Sequence, residues 1–465
     1  MNYLTLVNKE NPIKEKYFNN LELVDYFDAL GNKIQIENST LEAYLKLKEF
    51  LETKNIYIEI DSSYRTLEEQ QKIIDEYKIK YGEDYVKQYV APIRTSEHHT
   101  GLAIDLCIKV NNVLLTENKD LMKNENIFLE IHKYLNEFGF ILRYPKHKEQ
   151  VTMYSYEPWH IRYVGNIPAK IMYENNLTLE EYLSDFSGVL IVNKEKNMTS
   201  RDVVNEVSKI LGIKKIGHTG TLDPMAEGVL VLTIGKATKL GELLTSYEKE
   251  YIAEVEVGIL TDTLDTTGNI LKKKELTNNI NYKQICDSFQ KKYLQEVPLY
   301  SAVKVNGKKL YEYARNNEEV ILPKKEVEIK NIELLENTFD TFKFKTLVSK
   351  GTYIRSLIRD MGTFVNEYFC MKSLVRTKQG SFTIKESYTL NEILKNNFKI
   401  RTIEDVLNSY PIINIDDEIL LKKIKNGTRI NNIYNIKDKV LFIYNNKLIA
   451  IYEKENDILK IWKMI

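Results

Sequence analysis

Apolar residues in the first part of the chain recur at helical spacing in two segments. A capping-box pattern at residues 66–69 opens the first predicted helix, and Gly139 is a natural stop for the second. The one-sided apolar positions are Ile73, Ile74 and Tyr77 in the first helix, and Phe128, Ile131, Tyr134 and Leu135 in the second. The pattern predicts amphipathic helices in this part of the chain.

The pattern changes near residue 185. Residues 179–183 have helical character, whereas residues 189–192 form a strand-like apolar run. A chain of 465 residues is also too long for one ordinary core. We therefore predict that a first domain ends at residue 185 and that only a short linker follows it.

Helical and strand patterns alternate in the next part of the chain. Thr199 or Ser200 is placed to cap a helix that stops at Gly212, and alternation over residues 251–257 predicts a strand. From about residue 411 the sequence changes to short β-prone runs, which suggest a small all-β appendage. The predicted fold class is α+β, with domains at residues 1–185, 186–405 and 406–465.

Composition changes this picture in one respect, the distribution of charge. Residues 1–185 hold 22 basic and 30 acidic side chains, a net of −8, and the remainder holds 44 and 36, a net of +8. An excess of cations is what a phosphate-binding surface requires, although most such residues are simply solvated.

Cysteines and hydropathy exclude several classes of protein. Cys107, Cys286 and Cys370 lie far apart, which supports neither a disulfide framework nor a thiolate zinc site. No basic leader precedes an apolar run at the N-terminus, and no window approaches a membrane span. We expect a cytoplasmic protein without membrane contact, and nothing in the pattern indicates an oligomeric state.

Two short segments of the first domain contain the residues of a catalytic zinc site. Such a site needs three ligands drawn from histidine and carboxylate, and a base for the attacking water. His98, Asp105 and His160 are candidate ligands, and three of the six histidines of the chain lie in these segments. Along a helix, residues 98 and 105 would lie about 10 Å apart, so the chain has to turn between them, as Gly101 allows. Pro158 favours an extended or turning conformation before it.

The same segments carry a family resemblance that covers about residues 40–183. Residues 96–105, SEHHTGLAID, resemble the signature of VanY-like D-alanyl-D-alanine carboxypeptidases, and residues 139–145 and 156–160 match later blocks of that family. The resemblance implies that His98, Asp105 and His160 bind Zn²⁺ and that Glu157 is the general base.

The resemblance extends to substrate binding. It implies that Arg65 steadies the oxyanion or the carboxylate of the substrate and that Gln70 lines the pocket. His99 stands where many relatives have glutamine, and we expect a neighbour rather than a ligand. The implied partners are cell-wall peptides that end in D-Ala-D-Ala. Because the family mostly acts outside the membrane, a cytoplasmic member would act on precursors of such peptides.

Asp223 is the candidate nucleophile of the second domain. It lies between the flexible turn Gly217–Gly220 and Pro224. A carboxylate on a glycine-rich loop is able to act as a nucleophile or base where a substrate backbone approaches closely. Taken alone, such an aspartate is also a common turn or capping residue.

Five sequence blocks, which occur in order along the second domain, resemble a known family and favour the catalytic role of Asp223 over that of a turn residue. Together they look like a TruB-type tRNA pseudouridine synthase over about residues 187–400, and they are residues 188–194, 217–224, 249–251, 300–307 and 351–357. The resemblance implies an α/β mixed-sheet domain that isomerises the T-loop uridine of tRNA, at tRNA position 55, without a cofactor. The target base has to leave its stack and enter a closed pocket.

The resemblance also assigns roles within this domain. Asp223 would be the nucleophile, Tyr251 would stack on the target base, Arg355 would pair with Asp223, and His218 would contact the extruded nucleotide. Glu195 and Asn197 depart from the usual proline and glycine, but asparagine tolerates left-handed backbone well. Residues 406–465 resemble a reduced PUA-like RNA-binding β-barrel, whose lysines and arginines would hold phosphates.

The leading interpretation is a two-enzyme chain that combines a zinc carboxypeptidase with a tRNA uridine isomerase. In one alternative, only the synthase is active and the front half is a peptide-binding or structural module. In another, two adjacent genes were read as one, which the very short predicted junction does not exclude.

Overall fold

The structure is a computed structural model that describes residues 2–275, 280–445 and 447–465. It forms two compact units, which we call the first unit and the second unit. The first comprises Met1–Phe186 with Ile210–Ile213, and the second comprises Ser187–Lys209 with Lys214–Ile465. Both combine helices with sheets, so the predicted mixture of the two is confirmed.

The first unit contains short helices around a small sheet. Its α-helices and 3₁₀ turns are Glu15–Phe18, Asn38–Glu52, Leu67–Tyr81, Glu83–Tyr89, Glu97–Thr100, Asn118–Lys123, Glu125–His132, Leu135–Phe138, Glu149–Thr152, Asn166–Glu174 and Leu179–Ser184. Its strands are Leu23–Phe27, Lys33–Glu37, Tyr57–Ser62, Ala103–Val110, Val113–Leu115, Phe140–Leu142 and His160–Tyr163.

Of the two helices predicted for this unit, the first is present as one continuous helix and the second is divided in two. Thr66 forms the predicted capping box with Glu69 at the start of Leu67–Tyr81. The second predicted helix is interrupted: an α-helix ends at His132, and the 3₁₀ turn Leu135–Phe138 follows and stops before Gly139, whose φ is +82°. Periodicity alone does not distinguish one continuous helix from two short ones on the same apolar face.

The first unit has a two-stranded sheet, Leu23–Phe27 with Lys33–Glu37, and a five-stranded antiparallel sheet. The strand order in the five-stranded sheet is Tyr57–Ser62, Ala103–Val110, His160–Tyr163 and Phe140–Leu142, and the short strand Val113–Leu115 pairs with Ala103–Val110. The register puts Asp105 opposite His160 on one side and opposite Ser62 on the other. Apolar residues of these strands pack with those of helix Asn38–Glu52 into one core, which fixes that register.

The rest of the chain is built on a larger sheet. Its α-helices and 3₁₀ turns are Ser200–Leu211, Gly235–Leu240, Gly241–Ser246, Tyr282–Phe289, Leu310–Arg315, Ile354–Phe364, Ile384–Glu386, Leu390–Leu394, Ile403–Val406 and Glu418–Lys425. Its strands are Gly188–Lys194, Ile216–His218, Glu227–Ile234, Lys249–Val257, Ile259–Thr261, Ile270–Lys273, Lys292–Glu296, Lys304–Val305, Lys308–Lys309, Lys324–Asn337, Thr341–Val348, Phe369–Gln379, Phe382–Thr383, Ile412–Asn414, Ile430–Asn431, Lys439–Tyr444, Lys447–Glu455 and Ile458–Met464.

The second unit is organised around a nine-stranded sheet. The order runs Lys292–Glu296, Lys324–Asn337, Thr341–Val348, Lys249–Val257, Phe369–Gln379, Glu227–Ile234 and Gly188–Lys194, with two further short strands at its side. Strand Lys249–Val257 alternates between buried and partly exposed residues as predicted. Glu227–Ile234 and Phe369–Gln379 are parallel neighbours, and Gly228 lies in register with Arg376.

The last segment forms a five-stranded sheet with a core of its own. It is not purely β, because the helix Glu418–Lys425 lies within it. Asp417 caps this helix by accepting hydrogen bonds from the backbone amides of Ile419 and Leu420, at 3.0 and 2.9 Å. Among the described ranges, none of the helices combines the length and apolar composition that crossing a bilayer requires.

We predict that Gly228→Ala destabilises the second unit by on the order of 3 kcal/mol. Gly228 has a φ of +99°, and an added Cβ would lie 2.3 Å from the backbone oxygen of Arg376. A lower thermal midpoint by circular dichroism checks this. Gly241→Ala is the matched control, because Gly241 has open space around it and a helical φ of −52°. An equal midpoint for the two variants would contradict the prediction.

Candidate active sites

The first candidate site is assembled by one turn and two neighbouring strands. His98 lies in the 3₁₀ turn Glu97–Thr100, and Gly101, with a φ of +70°, leads the chain back into the strand that carries Asp105. His160 begins the adjacent strand and faces Asp105 across the pairing. The turn expected at Gly101 is therefore present, and it brings together residues that are far apart in sequence.

Three side chains converge on one point. His98 Nε2 lies 3.1 Å from Asp105 Oδ2, and His160 Nδ1 lies 2.9 Å from Asp105 Oδ1. One ligand atom from each residue lies within 4.8 Å of the others. This is the set of histidine and carboxylate donors that zinc prefers.

The hydrogen bonding of His98 shows that this set fits a cation. Its Nδ1 lies 2.6 Å from the carbonyl oxygen of Ser63, which only accepts, so Nδ1 carries the proton. Burial lowers the pKa of His98, which favours the neutral ring. Its Nε2 then presents a lone pair to the Asp105 carboxylate, an arrangement that a positive ion between the two groups would stabilise.

Glu157 lies beside this cluster. Its Oε2 is 3.7 Å from His160 Nδ1. Burial raises the pKa of Glu157 to about 7, although the charge of His160 opposes the shift. As expected from Pro158, the segment turns rather than forming a helix, and the His132 ring donates a 2.8 Å hydrogen bond to the Pro158 carbonyl. A carboxylate whose pKa lies near neutrality is suited to exchange protons with a water.

Arg65 and Gln70 lie together near the same cluster. Arg65 Nη1 donates to Gln70 Oε1 at 2.9 Å, and Nη2 donates to Ser62 Oγ at 3.1 Å. Gln70 is buried, and its Nε2 donates to the carbonyl of Ala91 at 2.7 Å. Both polar atoms of Gln70 are therefore engaged within the protein, and the glutamine braces Arg65.

A buried ionic cluster next to the site was missed in the sequence. The fully buried Glu97 has one oxygen 2.8 Å from Arg143 Nε and 2.8 Å from Arg162 Nη1, and Arg143 also forms a two-pronged pair with Glu180 at 2.9 and 2.6 Å. Burial alone would raise the pKa of Glu97, but the two guanidinium groups lower it to about 2. The sequence signal that could have indicated this cluster is the presence of charged residues, Glu97, Arg143 and Arg162, next to apolar residues that were expected to be buried.

The second candidate site is centred on a two-pronged ion pair. Arg355 Nε lies 2.9 Å from Asp223 Oδ2, and Arg355 Nη2 donates to Asp223 Oδ1 at 3.0 Å. Arg355 also donates to the carbonyls of Thr263 and Tyr300, at 2.9 and 3.0 Å. These bonds fix both the guanidinium plane and the carboxylate that faces it.

The turn that presents Asp223 is held from several sides. Ser200 Oγ accepts from the Leu222 amide at 2.9 Å, and Arg376 Nη2 donates to the Gly220 carbonyl at 3.0 Å. Lys194 Nζ donates to the Pro224 carbonyl at 3.2 Å. These anchors come from distant parts of the sequence, so no local pattern indicated them.

Asp223 remains accessible despite these contacts. Its side chain is 33% exposed, whereas that of Arg355 is 6% exposed. Burial raises the pKa of Asp223, and the opposing charge of Arg355 limits the shift. The carboxylate is thus held rigidly while one side stays open to a substrate.

Tyr251 and His218 lie on strands of the same sheet. Tyr251 is buried, in register with Arg376, and His218 ends the strand Ile216–His218. Burial lowers the pKa of His218, so its ring is neutral near physiological pH, and its Nδ1 is buried without a partner in the described part of the chain. The recorded hydrogen bonds and ion pairs among the described residues join Asp223 to Arg355 but not to these two side chains.

Both halves are similar to known proteins. Residues 208–354 match the model of the TruB family pseudouridylate synthase N-terminal domain, and residues 33–166 match that of D-alanyl-D-alanine carboxypeptidase. The tRNA pseudouridine synthase B of Staphylococcus aureus is 42% identical over 290 residues, which cover 57% of this chain and 94% of the relative. That of Lactobacillus acidophilus is 41% identical over 286 residues, covering 58% and 96%.

A solved structure matches the front half. It is that of a variant of the vancomycin resistance D,D-pentapeptidase VanY in complex with Zn(II), which is 32% identical, with a TM-score of 0.33 and coverage of 39% of this chain and 99% of that one. Both resemblances inferred from the sequence motifs are confirmed by the family models and the synthase relatives.

We predict that Glu97→Gln lowers the free energy of unfolding of the first unit by roughly 3 kcal/mol at neutral pH, since it leaves the buried Arg162 without its anion and removes one of the two anions of Arg143. Pairing lowers the pKa of Glu97 from an ordinary 4.5 to about 2. The stabilisation is therefore complete above about pH 4.5 and is lost as the pH falls toward 2.

Urea unfolding of the wild type and the variant over this pH range checks the prediction. The difference between them should shrink as the pH falls. Glu83→Gln is the control, because Glu83 forms an exposed pair with Lys78 and should matter little. A difference that stays constant with pH would contradict the assignment.

Proposed function

We propose that this chain, which belongs to the tRNA pseudouridine synthase B family, converts a uridine of tRNA to pseudouridine with Asp223 as the nucleophile. The observation that carries the proposal is the two-pronged pair between Asp223 and Arg355. Arg355 favours the ionised carboxylate and fixes its direction, as a nucleophile requires. The family relationship supports the T-loop uridine, at tRNA position 55, as the target.

The reaction is an isomerisation, so the atoms of the uridine are conserved. The uracil is detached, rotated and rejoined to the ribose through carbon, and no cofactor is needed. We propose that Tyr251 stacks on the target base after it leaves the helical stack, and that the neutral His218 contacts the extruded nucleotide. His218 Nδ1, which has no hydrogen-bond partner among the described residues, supports this role.

Phosphate contacts would come from the basic part of the chain. Residues 186–465 carry a net charge of +8, and helix Glu418–Lys425 bears Lys422, Lys423 and Lys425 in its last turn. We propose that residues 186–405 are the catalytic domain and that residues 406–465 are a PUA-like RNA-binding appendage, which holds the tRNA backbone without reading its sequence.

We propose a second activity for residues 1–185, the hydrolysis of peptides that end in D-Ala-D-Ala. The observation that favours it is the convergence of His98, Asp105 and His160 with a histidine lone pair aimed at a carboxylate. These three residues would hold Zn²⁺, which when bound supplies a Lewis acid for the peptide carbonyl and for water. Glu157 would accept the proton of the water, and Arg65 would hold the anionic group of the substrate.

The competing hypothesis keeps the synthase and makes residues 1–185 a peptide-binding module without catalysis. It predicts peptide binding without turnover. Bound zinc together with measurable release of D-Ala from a D-Ala-D-Ala peptide would separate the two hypotheses.

Asp223→Asn should reduce pseudouridine formation in tRNA by at least about a thousandfold, because it removes the nucleophile and keeps the shape of the side chain. Release of tritium from uridine labelled at carbon 5 in tRNA measures the reaction. Asp287→Asn, at an exposed helical position of the same unit, is the matched control and should retain full activity. Substantial isomerase activity in the Asp223 variant would overturn the assignment.

Glu157→Gln should retain one zinc ion per chain and lose D-Ala release by about a hundredfold or more, because the ligands remain and the proton acceptor does not. Metal analysis and a D-Ala assay on the same preparation check this. Glu149→Gln, at an exposed position nearby in sequence, should change neither quantity. If zinc content and activity fall together, Glu157 is a ligand and its proposed role is wrong.

A further inference from the structure

Two consecutive histidines contact the same extended segment. His98 Nδ1 donates to the carbonyl of Ser63 at 2.6 Å, and His99 Nδ1 donates to the carbonyl of Arg65 at 2.7 Å. The Arg65 amide donates back to the carbonyl of His98 at 3.2 Å. The segment that carries Arg65 is thus tied at three points to the turn that carries the proposed zinc ligand.

Arg65 depends on such ties because charged partners do not hold it. Its guanidinium donates to Gln70 and Ser62, both neutral, and among the described residues it forms no ion pair. A partly buried cation without an anion is free to receive the anionic group of a substrate. Its direction is then set by its backbone and by two neutral acceptors.

His99 has features that a purely space-filling residue would lack. The side chain is fully buried. Because Nδ1 carries the proton, Nε2 is a hydrogen-bond acceptor, and it receives no hydrogen bond from the described part of the chain. An unmet buried acceptor costs about 1–3 kcal/mol. An apolar side chain of similar size would fill the same space without that cost. The hydrogen bond from His99 to the Arg65 carbonyl is therefore what a histidine adds at this position.

We propose that His99 is a positioning residue for Arg65, holding its backbone so that the guanidinium meets the anionic group of a peptide that ends in D-Ala-D-Ala. This inference rests on the proposed peptidase function. His99 does not act on the metal, because its ring is directed to the Arg65 carbonyl and His98, Asp105 and His160 form the cluster without it.

The test is a double-mutant cycle on the full, zinc-loaded chain. The variants are His99→Leu, Arg65→Lys and their combination, with His99→Asn as the rescue, because the asparagine amide nitrogen is able to replace Nδ1 as donor. The measured quantities are kcat/KM for D-Ala release from a D-Ala-D-Ala peptide and the zinc content of each variant.

His99→Leu should lower kcat/KM about tenfold at unchanged zinc content, and His99→Asn should restore most of it. In the Arg65→Lys background, His99→Leu should cost less than about twofold, because its effect passes through Arg65. An equal cost in both backgrounds, or a loss of zinc that parallels the loss of activity, would overturn the inference.

His132→Leu is the matched control for the cycle. It removes a similar hydrogen bond from a histidine to a carbonyl, that of Pro158, away from Arg65. Its cost should be the same in the wild-type and Arg65→Lys backgrounds.

A wild-type chain that releases no D-Ala would show that the proposed peptidase function is wrong. The same cycle is then measured on the Kd for a D-Ala-D-Ala peptide by calorimetry, where a tenfold weakening by His99→Leu that vanishes with Arg65→Lys still supports the inference. A weakening that is equal in both backgrounds, or no binding at all, overturns it.

Discussion

A charged side chain buried in either unit is stable only where opposite charge or a full set of hydrogen bonds meets it. Asp223 meets this requirement through Arg355, and Glu97 meets it through Arg143 and Arg162. Asp105 meets this requirement only in part, because His160 Nδ1 lies 2.9 Å from one of its oxygens while the neutral His98 turns a lone pair toward the other. We infer the zinc site from that imbalance, since a divalent cation satisfies all the groups that converge there.

The same requirement determines how the loops are held. Loops that carry catalytic groups need their backbone carbonyls satisfied; long cationic side chains do this at the second site, and histidine rings do it at the first. Lys194 and Arg376 donate to carbonyls around the turn of Asp223, and the rings of His98 and His99 donate to the carbonyls of Ser63 and Arg65. These hydrogen bonds hold the turns at both sites in place, although each turn contains a glycine with positive φ.

Short motifs indicated the residues of both sites because these residues lie in local turns with characteristic neighbours. The turn at Gly101, the non-helical segment before His160 and the alternating strand at residues 251–257 all followed from local chemistry. The buried cluster of Glu97 and the anchors from Arg376 did not, because each depends on side chains brought together by the sheets. The helix Glu418–Lys425 was missed for a different reason, because the β-prone segments on either side of it dominated the local sequence pattern.

The central claim is that one chain carries two complete and chemically different sites. The most direct test measures D-Ala release and tRNA isomerisation on one preparation of the full chain, before and after a zinc-selective chelator and again after zinc is restored. The account predicts that D-Ala release stops and recovers with zinc, while isomerisation is unchanged throughout. Isomerisation that stops with the chelator, or a zinc-loaded chain that releases no D-Ala, would contradict it.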